Sequence, residues 1–115
     1  MTTTGLARGA LPVDAARDVA RIRDVLNRQR EAQLTHLDDL ARAQTAARAT
    51  ELAQLRGLTE GLRQTVAQID TALMRLEAGQ YGVCMACGEP IAPPRLEALP
   101  SAVLCLRCQR LKERR

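Results

Sequence analysis

The sequence predicts a mostly α-helical protein: an antiparallel coiled-coil helical hairpin, followed by a C4 zinc finger with a short C-terminal helix. Three observations lead to this fold class. The 115 residues contain a single aromatic residue, Tyr81, although 46% of them are hydrophobic, and a large globular core usually needs more aromatic rings. No proline occurs between Pro12 and Pro90, and residues typical of long helices dominate that run. Four cysteines form two Cys-x-x-Cys pairs near the C-terminus.

We expect three segments: a flexible N-terminal segment over residues 1–12, the helical hairpin over 13–79, and the zinc finger with its terminal helix over 80–115. Gly79 is predicted to end the hairpin's second helix, because glycine readily adopts the left-handed conformation found just after helices. All four cysteines and four of the five prolines follow it. No apolar stretch is long enough for a membrane span, and residues 1–18 lack a signal-peptide block, so a cytoplasmic location is expected.

The second half of the hairpin carries the clearer coiled-coil seam. Residues at heptad spacing are apolar in seven of eight positions, the exception being Thr59. The eight positions are Leu52, Leu55, Thr59, Leu62, Val66, Ile69, Leu73 and Leu76.

The first half has a weaker stripe, formed by Val19, Ile22, Leu26, Leu34, Leu37 and Leu40. A strict heptad count from Val19 places His36 on this seam, where a polar residue can fix the register of two helices. The turn between the arms is predicted near Gln44 to Thr50. Thr45 or Thr50 is expected to cap the second helix.

The cysteine spacing predicts one structural zinc ion bound by Cys84, Cys87, Cys105 and Cys108. Two Cys-x-x-Cys hooks separated by seventeen residues are typical of a tetrahedral zinc site, and four thiolates leave no open position for catalysis. Two disulfides or four unrelated thiols are the alternatives, and a cytoplasmic location disfavours disulfides. Residues between the hooks are expected to form a small core, namely Ile91, Leu96, Leu99 and Val103.

The segment from Ile69 to Cys108 resembles the DksA/TraR family of C4 zinc-finger transcription regulators. The resemblance rests on RLEAGQYG, CMACGEPI, RLEALP and the second hook, in that order. It implies a protein without enzymatic activity that binds bacterial RNA polymerase through its secondary channel and modulates initiation, often together with ppGpp. It also implies the four cysteines as zinc ligands. The protein is not expected to bind DNA directly, and it is expected to be a monomer.

The sequence departs from the family at the hairpin tip. The family's acidic tip motif would fall near Ala41 to Ala46, where ARAQTA contains no acidic residue. Asp38 and Asp39 lie slightly upstream and are the candidate partner-binding residues. The alternative is that they are two solvated helix residues.

Two other functions stay open. The net charge is +4, and five of the six basic residues after Val83 lie in the last nine positions, which suits an anionic surface. A nucleic-acid-binding zinc module would use these five residues, namely Arg107, Arg110, Lys112, Arg114 and Arg115. A coiled-coil adaptor would instead pair its seam with another chain. Enzyme activity is not predicted, because no catalytic constellation is present in the sequence.

Overall fold

A computed structural model describes residues 15–114 of the chain, and side chains from residue 18 onwards. The predicted flexible segment 1–12 lies outside the described residues. The described part is mostly helical, as predicted: α1 (Ala15–Ala46), α2 (Ala49–Glu77), α3 (Pro93–Ala98) and α4 (Leu106–Glu113). Residues 15–114 contain no strand, and one isolated antiparallel bridge joins Val83 to Pro90. None of these helices is long and apolar enough to cross a bilayer.

Helices α1 and α2 form the antiparallel hairpin, which turns at Ala47 and Arg48, inside the predicted segment. At about 1.5 Å per residue, α2 is roughly 44 Å long, and the molecule measures 62 × 33 × 21 Å. The predicted threonine cap was wrong. Arg48 precedes α2, and its backbone amide donates to the Glu51 carboxylate at 3.1 Å. The Thr45 hydroxyl instead donates to the Arg42 carbonyl within α1 at 2.7 Å.

The predicted seam of α2 is confirmed. All eight predicted positions are buried or half-buried, and Thr59, Ile69 and Leu76 are the most deeply enclosed. Ala72 is also buried, because its small side chain lies beside the seam where α2 meets the zinc finger. A regular apolar heptad therefore identified the inward face of this helix.

The predicted stripe of α1 is confirmed in part. Leu37 and Leu40 face inward as predicted, and so does Gln44, whereas Leu34 is 38% exposed and His36 is exposed. Leu26, Gln33 and Leu40 keep the seven-residue spacing. Beyond Gln33, the companion inward positions are Leu37 and Gln44, each one residue later than the count from Val19 gives, so His36 lies on the solvent side.

A polar pair occupies the hairpin interior near the tip. The Gln44 Nε2 donates to the Thr59 Oγ1 at 2.7 Å, and the Thr59 hydroxyl donates to the Leu55 carbonyl at 2.9 Å. Thr59 is buried, so this pair satisfies a polar group that burial would otherwise penalise. Gln44 and Thr59 thus supply the polar register contact that had been expected of His36.

Two ion pairs join the arms on their solvent-facing edges. Arg23 binds Glu77 through Nε at 2.6 Å and Nη2 at 3.1 Å, and the Arg30 Nε binds Asp70 at 2.6 Å. The pKa of the Glu77 carboxyl lies below its usual value because Arg23 donates these hydrogen bonds. Flanking pairs of this kind favour one alignment of the two helices.

Glu77→Gln is expected to lower the melting temperature slightly at neutral pH and to have no effect in acid. A carboxylate with a depressed pKa stabilises the fold above its ordinary value of 4.5, and this contribution disappears as the pH falls through the folded-state pKa. Thermal melts of both proteins between pH 7 and pH 3 test this prediction. Glu60→Gln, at an exposed site elsewhere on α2, is the control. A Glu77→Gln difference that stayed constant with pH would contradict the ionic explanation.

The main core lies at the base of the hairpin and continues into the zinc finger. Buried residues from both parts belong to one cluster, namely Leu26, Ile69, Ala72, Leu76, Tyr81, Cys84, Ile91, Leu96 and Ala102. The finger therefore does not have a separate core, and the hairpin base and the finger support each other.

Two side chains of α2 fasten the finger by hydrogen bonds to its backbone carbonyls, and Tyr81 makes a third such bond within the finger. Arg75 donates to Val83 at 2.9 Å, and the Gln68 amide donates to Ser101 at 3.1 Å. The Tyr81 hydroxyl donates to Pro100 at 2.7 Å, and burial raises its pKa. Tyr81 is thus a packing residue at the junction, as its position in the sequence predicted.

Candidate metal centre and hairpin tip

The first cysteine hook begins just after α2 ends. Gly79 has φ +75°, and its amide donates to Leu76, while the Gln80 amide donates to Arg75. These bonds close the helix end in the way predicted for a glycine there. The chain then turns through Cys84 to Cys87, and the Gly88 amide donates to the Cys84 carbonyl at 2.9 Å. Gly88 has φ +78°, a conformation that other residues rarely adopt.

The second hook opens α4. The Cys105 sulfur accepts a hydrogen bond from the Cys108 amide at 3.5 Å, so this cysteine caps the helix that carries the next ligand. Helix α4 starts at Leu106, directly after Cys105. The hooks are held together by a backbone bond from the Met85 amide to the Val103 carbonyl, at 2.8 Å.

The four cysteine sulfurs converge at one point. All of them lie within 4.8 Å of one another, and the sulfurs of Cys87 and Cys105 are 3.8 Å apart. A tetrahedral zinc ion with bonds of about 2.3 Å requires sulfurs about 3.8 Å apart. A disulfide requires about 2.05 Å, and all four cysteines are free. The donor set therefore fits Zn²⁺, and the disulfide and unrelated-thiol interpretations do not hold.

The surroundings of the sulfurs favour negative charge at one end of the cluster. Burial raises the pKa of Cys84, but backbone amides of Cys105, Cys87 and Ala86 outweigh it and lower that pKa to about 6. The Cys108 thiol hydrogen-bonds to the Cys105 sulfur, which raises its pKa to about 12. Without a metal, the four sulfurs thus share protons. A divalent cation would displace those protons when it binds.

Arg107 is a functional candidate that sequence reasoning missed. It lies between the two cysteines of the second hook, and interaction with Cys87 and with the charge of the neighbouring cysteines raises its pKa. Four thiolates around one Zn²⁺ carry a net charge of −2, so a neighbouring cation would stabilise the loaded site. The sequence does place this arginine between the two cysteines of the second hook. It had been assigned only to the basic tail.

Three of the four residues predicted to form a small core between the hooks pack inward, but they belong to the cluster shared with the hairpin base. Ile91 and Leu96 are buried, and Val103 packs against them. Leu99 is 39% exposed, so its assignment to the core was wrong. Helix α3 ends one residue before it, and the chain reverses there with the Leu99 side chain towards solvent. The Arg95 side chain fastens α3 to the second hook by donating to the Leu104 carbonyl at 3.1 Å.

The candidate residues Asp38 and Asp39 are exposed on α1 and lie below the tip. Eight residues separate Asp39 from Ala47, which is roughly 12 Å along a helix. Arg42 contacts both carboxylates, Asp38 at 2.7 Å and Asp39 at 3.1 Å, and the hydrogen bond to Asp38 raises the arginine's pKa. The apex itself consists of Ala46, Ala47, Arg48 and Ala49. None of these four residues is acidic, and the Glu51 carboxylate of α2 reaches the apex through its hydrogen bond from the Arg48 amide.

Comparisons with known proteins agree with this geometry. The family described as prokaryotic dksA/traR C4-type zinc finger matches residues 79–114. The RNA polymerase-binding transcription factor DksA of Caulobacter vibrioides is 47% identical over 53 residues, which cover 46% of this chain and 37% of that protein. The factor of the same name from Escherichia coli is 39% identical over 51 residues, which cover 44% of this chain and 34% of that protein.

A similarity over most of the chain comes from solved structures. Transcription factor DksA2 from Pseudomonas aeruginosa is 34% identical, with a TM-score of 0.60, over 84% of this chain and 83% of that one. The chain belongs to the DksA/TraR family. A Dks protein from Chlamydia trachomatis, titled an RNA polymerase binding protein and transcriptional regulator, is 25% identical with a TM-score of 0.60, over 90% of this chain and 95% of that one.

The family similarity is unevenly distributed. The alignments to curated DksA proteins span little more than a third of those proteins' length, whereas the structural matches include the hairpin. The similarity at the metal centre is therefore seen in sequence, whereas the similarity of the hairpin is seen in structure.

Proposed function

We propose that this protein is a non-enzymatic transcription regulator of the cytoplasm. It binds bacterial RNA polymerase by inserting the helical hairpin through the secondary channel, and it thereby modulates initiation. The observation that carries this proposal is the similarity to DksA2 over 84% of the chain, because that match includes the hairpin and the finger together. One structural zinc per chain holds the finger, and the finger holds the hairpin base.

The dimensions of the hairpin support its use as a probe. The arms are joined along their length by the seam and by the Arg23–Glu77 and Arg30–Asp70 pairs. A long paired arm of this kind is stiff enough to reach into a narrow opening. The seam residues face each other within one chain, which leaves no seam for pairing with another chain as an adaptor. A monomer is therefore part of the proposal.

Competition for purified RNA polymerase core tests the proposed function. We expect the zinc-loaded protein to bind the core and to be displaced by a factor known to occupy the secondary channel. Binding without displacement would contradict the secondary-channel proposal, and absence of binding at physiological salt would overturn the polymerase proposal altogether.

Adding ppGpp in parallel tests whether the effector response implied by the resemblance applies to this chain. Steep loss of DNA binding with salt would instead support the nucleic-acid module.

Asp38 and Asp39 are proposed to contact the channel wall below the apex. The Asp38→Asn/Asp39→Asn double variant is expected to bind polymerase on the order of tenfold more weakly, since close charge pairs at an interface contribute about 1.4 kcal/mol or more. The two measurements are the affinity for RNA polymerase core and the size of the protein's effect on transcription in vitro.

Asp24→Asn is the matched control for the double variant. Asp24 is an exposed carboxylate on the same helix, it is paired with Arg28 four residues later, and it lies well away from the tip. It should bind polymerase as the unmodified protein does. Equal behaviour of both variants would show that Asp38 and Asp39 are ordinary solvated residues of α1.

A further inference from the structure

Helix α4 presents an outer face that no part of the described chain covers. We define this α4 outer face by Leu106, Arg107, Arg110, Leu111 and Arg114, which together line one shallow depression. The helix has no buried residue. Leu106 is 47% exposed and Leu111 is 50% exposed, which is unusual for large aliphatic side chains that share one face.

The apolar surface continues beyond α4. A second groove shares Leu106 and Arg107 with the first and extends across α3 to Pro94, Ala98 and Leu99. Leu99 is the residue that was expected in the core and is largely exposed instead. Three exposed leucines thus lie along one continuous surface of the finger, and grouped apolar residues rimmed by polar ones mark interaction sites.

The charge of this face is positive, and no carboxylate of the described residues neutralises it. Among the described residues, no carboxylate lies within ion-pair distance of Arg107, Arg110 or Arg114. The single acidic residue of α4, Glu113, accepts a hydrogen bond from Gln109. Gln109 and Lys112 line a different groove, which faces α2. The helix therefore has two sides, and the arginines are concentrated beside the leucines.

We propose that the α4 outer face docks an acidic protein segment that places an aliphatic side chain between carboxylates. The carboxylates pair with Arg110 and Arg114, and the aliphatic group covers Leu106 and Leu111. Charge complementarity selects an acidic partner, and the leucines select a protein over a nucleic acid. Phosphate contacts do not use leucines, and single-strand binders stack bases on aromatic rings, whereas the one aromatic residue, Tyr81, is buried. The face consists of five residues, far fewer than the roughly 20–30 a side of a standard interface, so the segment binds weakly by itself.

The test uses a synthetic helical peptide of glutamate and alanine with two leucines four positions apart. The isotope-labelled, zinc-loaded protein is titrated and amide chemical shifts are followed by NMR. We expect shifts concentrated in residues 106–114. Replacing the peptide's leucines by serine, or its glutamates by lysine, should weaken binding at least fivefold. No polymerase is present, so the result is independent of the proposed function of the hairpin.

Matched variants of the protein assign the binding to this face. Arg110→Glu is expected to weaken the peptide about tenfold, and Leu106→Ser/Leu111→Ser at least fivefold. Lys112→Glu makes the same charge change on the other side of α4 and should have little effect. Zinc content and melting temperature show that each variant is folded.

Four outcomes would overturn the proposal. The first is an absence of peptide-induced shifts, or shifts outside α4 and α3. The second is binding of oligothymidine or phosphatidylglycerol vesicles to this face as tight as that of the peptide, without dependence on the leucines. Equal weakening by Lys112→Glu and Arg110→Glu would indicate non-specific charge attraction. Concentration-dependent shifts on this face without peptide would assign it to a second copy of the chain.

Discussion

Cys105→Ser is expected to abolish zinc binding and to unfold the finger. The Cys105 sulfur is a ligand of the four-sulfur site, lies 3.8 Å from the Cys87 sulfur, and caps α4. Structural zinc contributes roughly 10–16 kcal/mol in zinc-finger peptides, and the finger has no separate core to replace that contribution. We expect less than a tenth of the normal zinc content, and a melting temperature lower by more than roughly 15 °C.

The same loss should extend to the hairpin base. Cys84, Ile91 and Leu96 belong to one buried cluster with Leu26 and Ile69, so disorder in the finger exposes the inner ends of both long helices. Chelation of zinc from the unmodified protein should reproduce the effect. Met85→Ser is the matched control, because Met85 lies inside the first hook but is mostly exposed. A Cys105→Ser protein with full zinc content and unchanged melting would contradict the assignment of the ligands.

Leu26→Ala is expected to destabilise the protein by about 2–5 kcal/mol, the range for truncating a fully buried leucine. Leu26 is 0% exposed and connects α1 to the core at the base. The substitution leaves a cavity where the arms and the finger meet, because close-packed surroundings collapse only in part. The melting temperature should fall by roughly 10–20 °C, while zinc content stays normal in the folded protein.

Leu58→Ala is the control for this cavity. Leu58 is 58% exposed on α2, so its truncation removes few contacts and should change stability by less than about 0.5 kcal/mol. Equal effects of the two substitutions would show that the hairpin base is not the centre of the core. Denaturant titration of both variants gives the comparison directly.

Local and periodic features of the fold could be predicted from the sequence. The α2 seam follows from an almost unbroken apolar heptad, and the end of α2 follows from Gly79, which adopts the positive φ that ends a helix. The four cysteine ligands follow from the spacing of the hooks, since each Cys-x-x-Cys turn brings its two sulfurs to one side. These features depend on residues that are close together in the chain, so the sequence alone indicates them.

Features that depend on distant contacts could not be predicted in the same way. The inward face of α1 includes Gln33 and Gln44, which carry no apolar signal, and Gln44 is inward because its side chain donates to Thr59. Leu99 and Leu106 look like core residues by type, yet α3 and α4 place them on the surface. The proximity of Arg107 to the sulfurs appears only after the two hooks have closed.

Photocrosslinking from the hairpin apex tests the central claim most directly. A photoreactive residue replaces Ala46, which is exposed at the end of α1, and the zinc-loaded protein is irradiated in complex with RNA polymerase core. A second protein carries the same residue at the exposed Glu97 of the finger. The account predicts crosslinks from position 46 to the interior of the secondary channel near the catalytic centre, and crosslinks from position 97 to the surface outside it. Crosslinks from position 97 alone, or from position 46 to the outer surface of the enzyme, would contradict insertion of the hairpin.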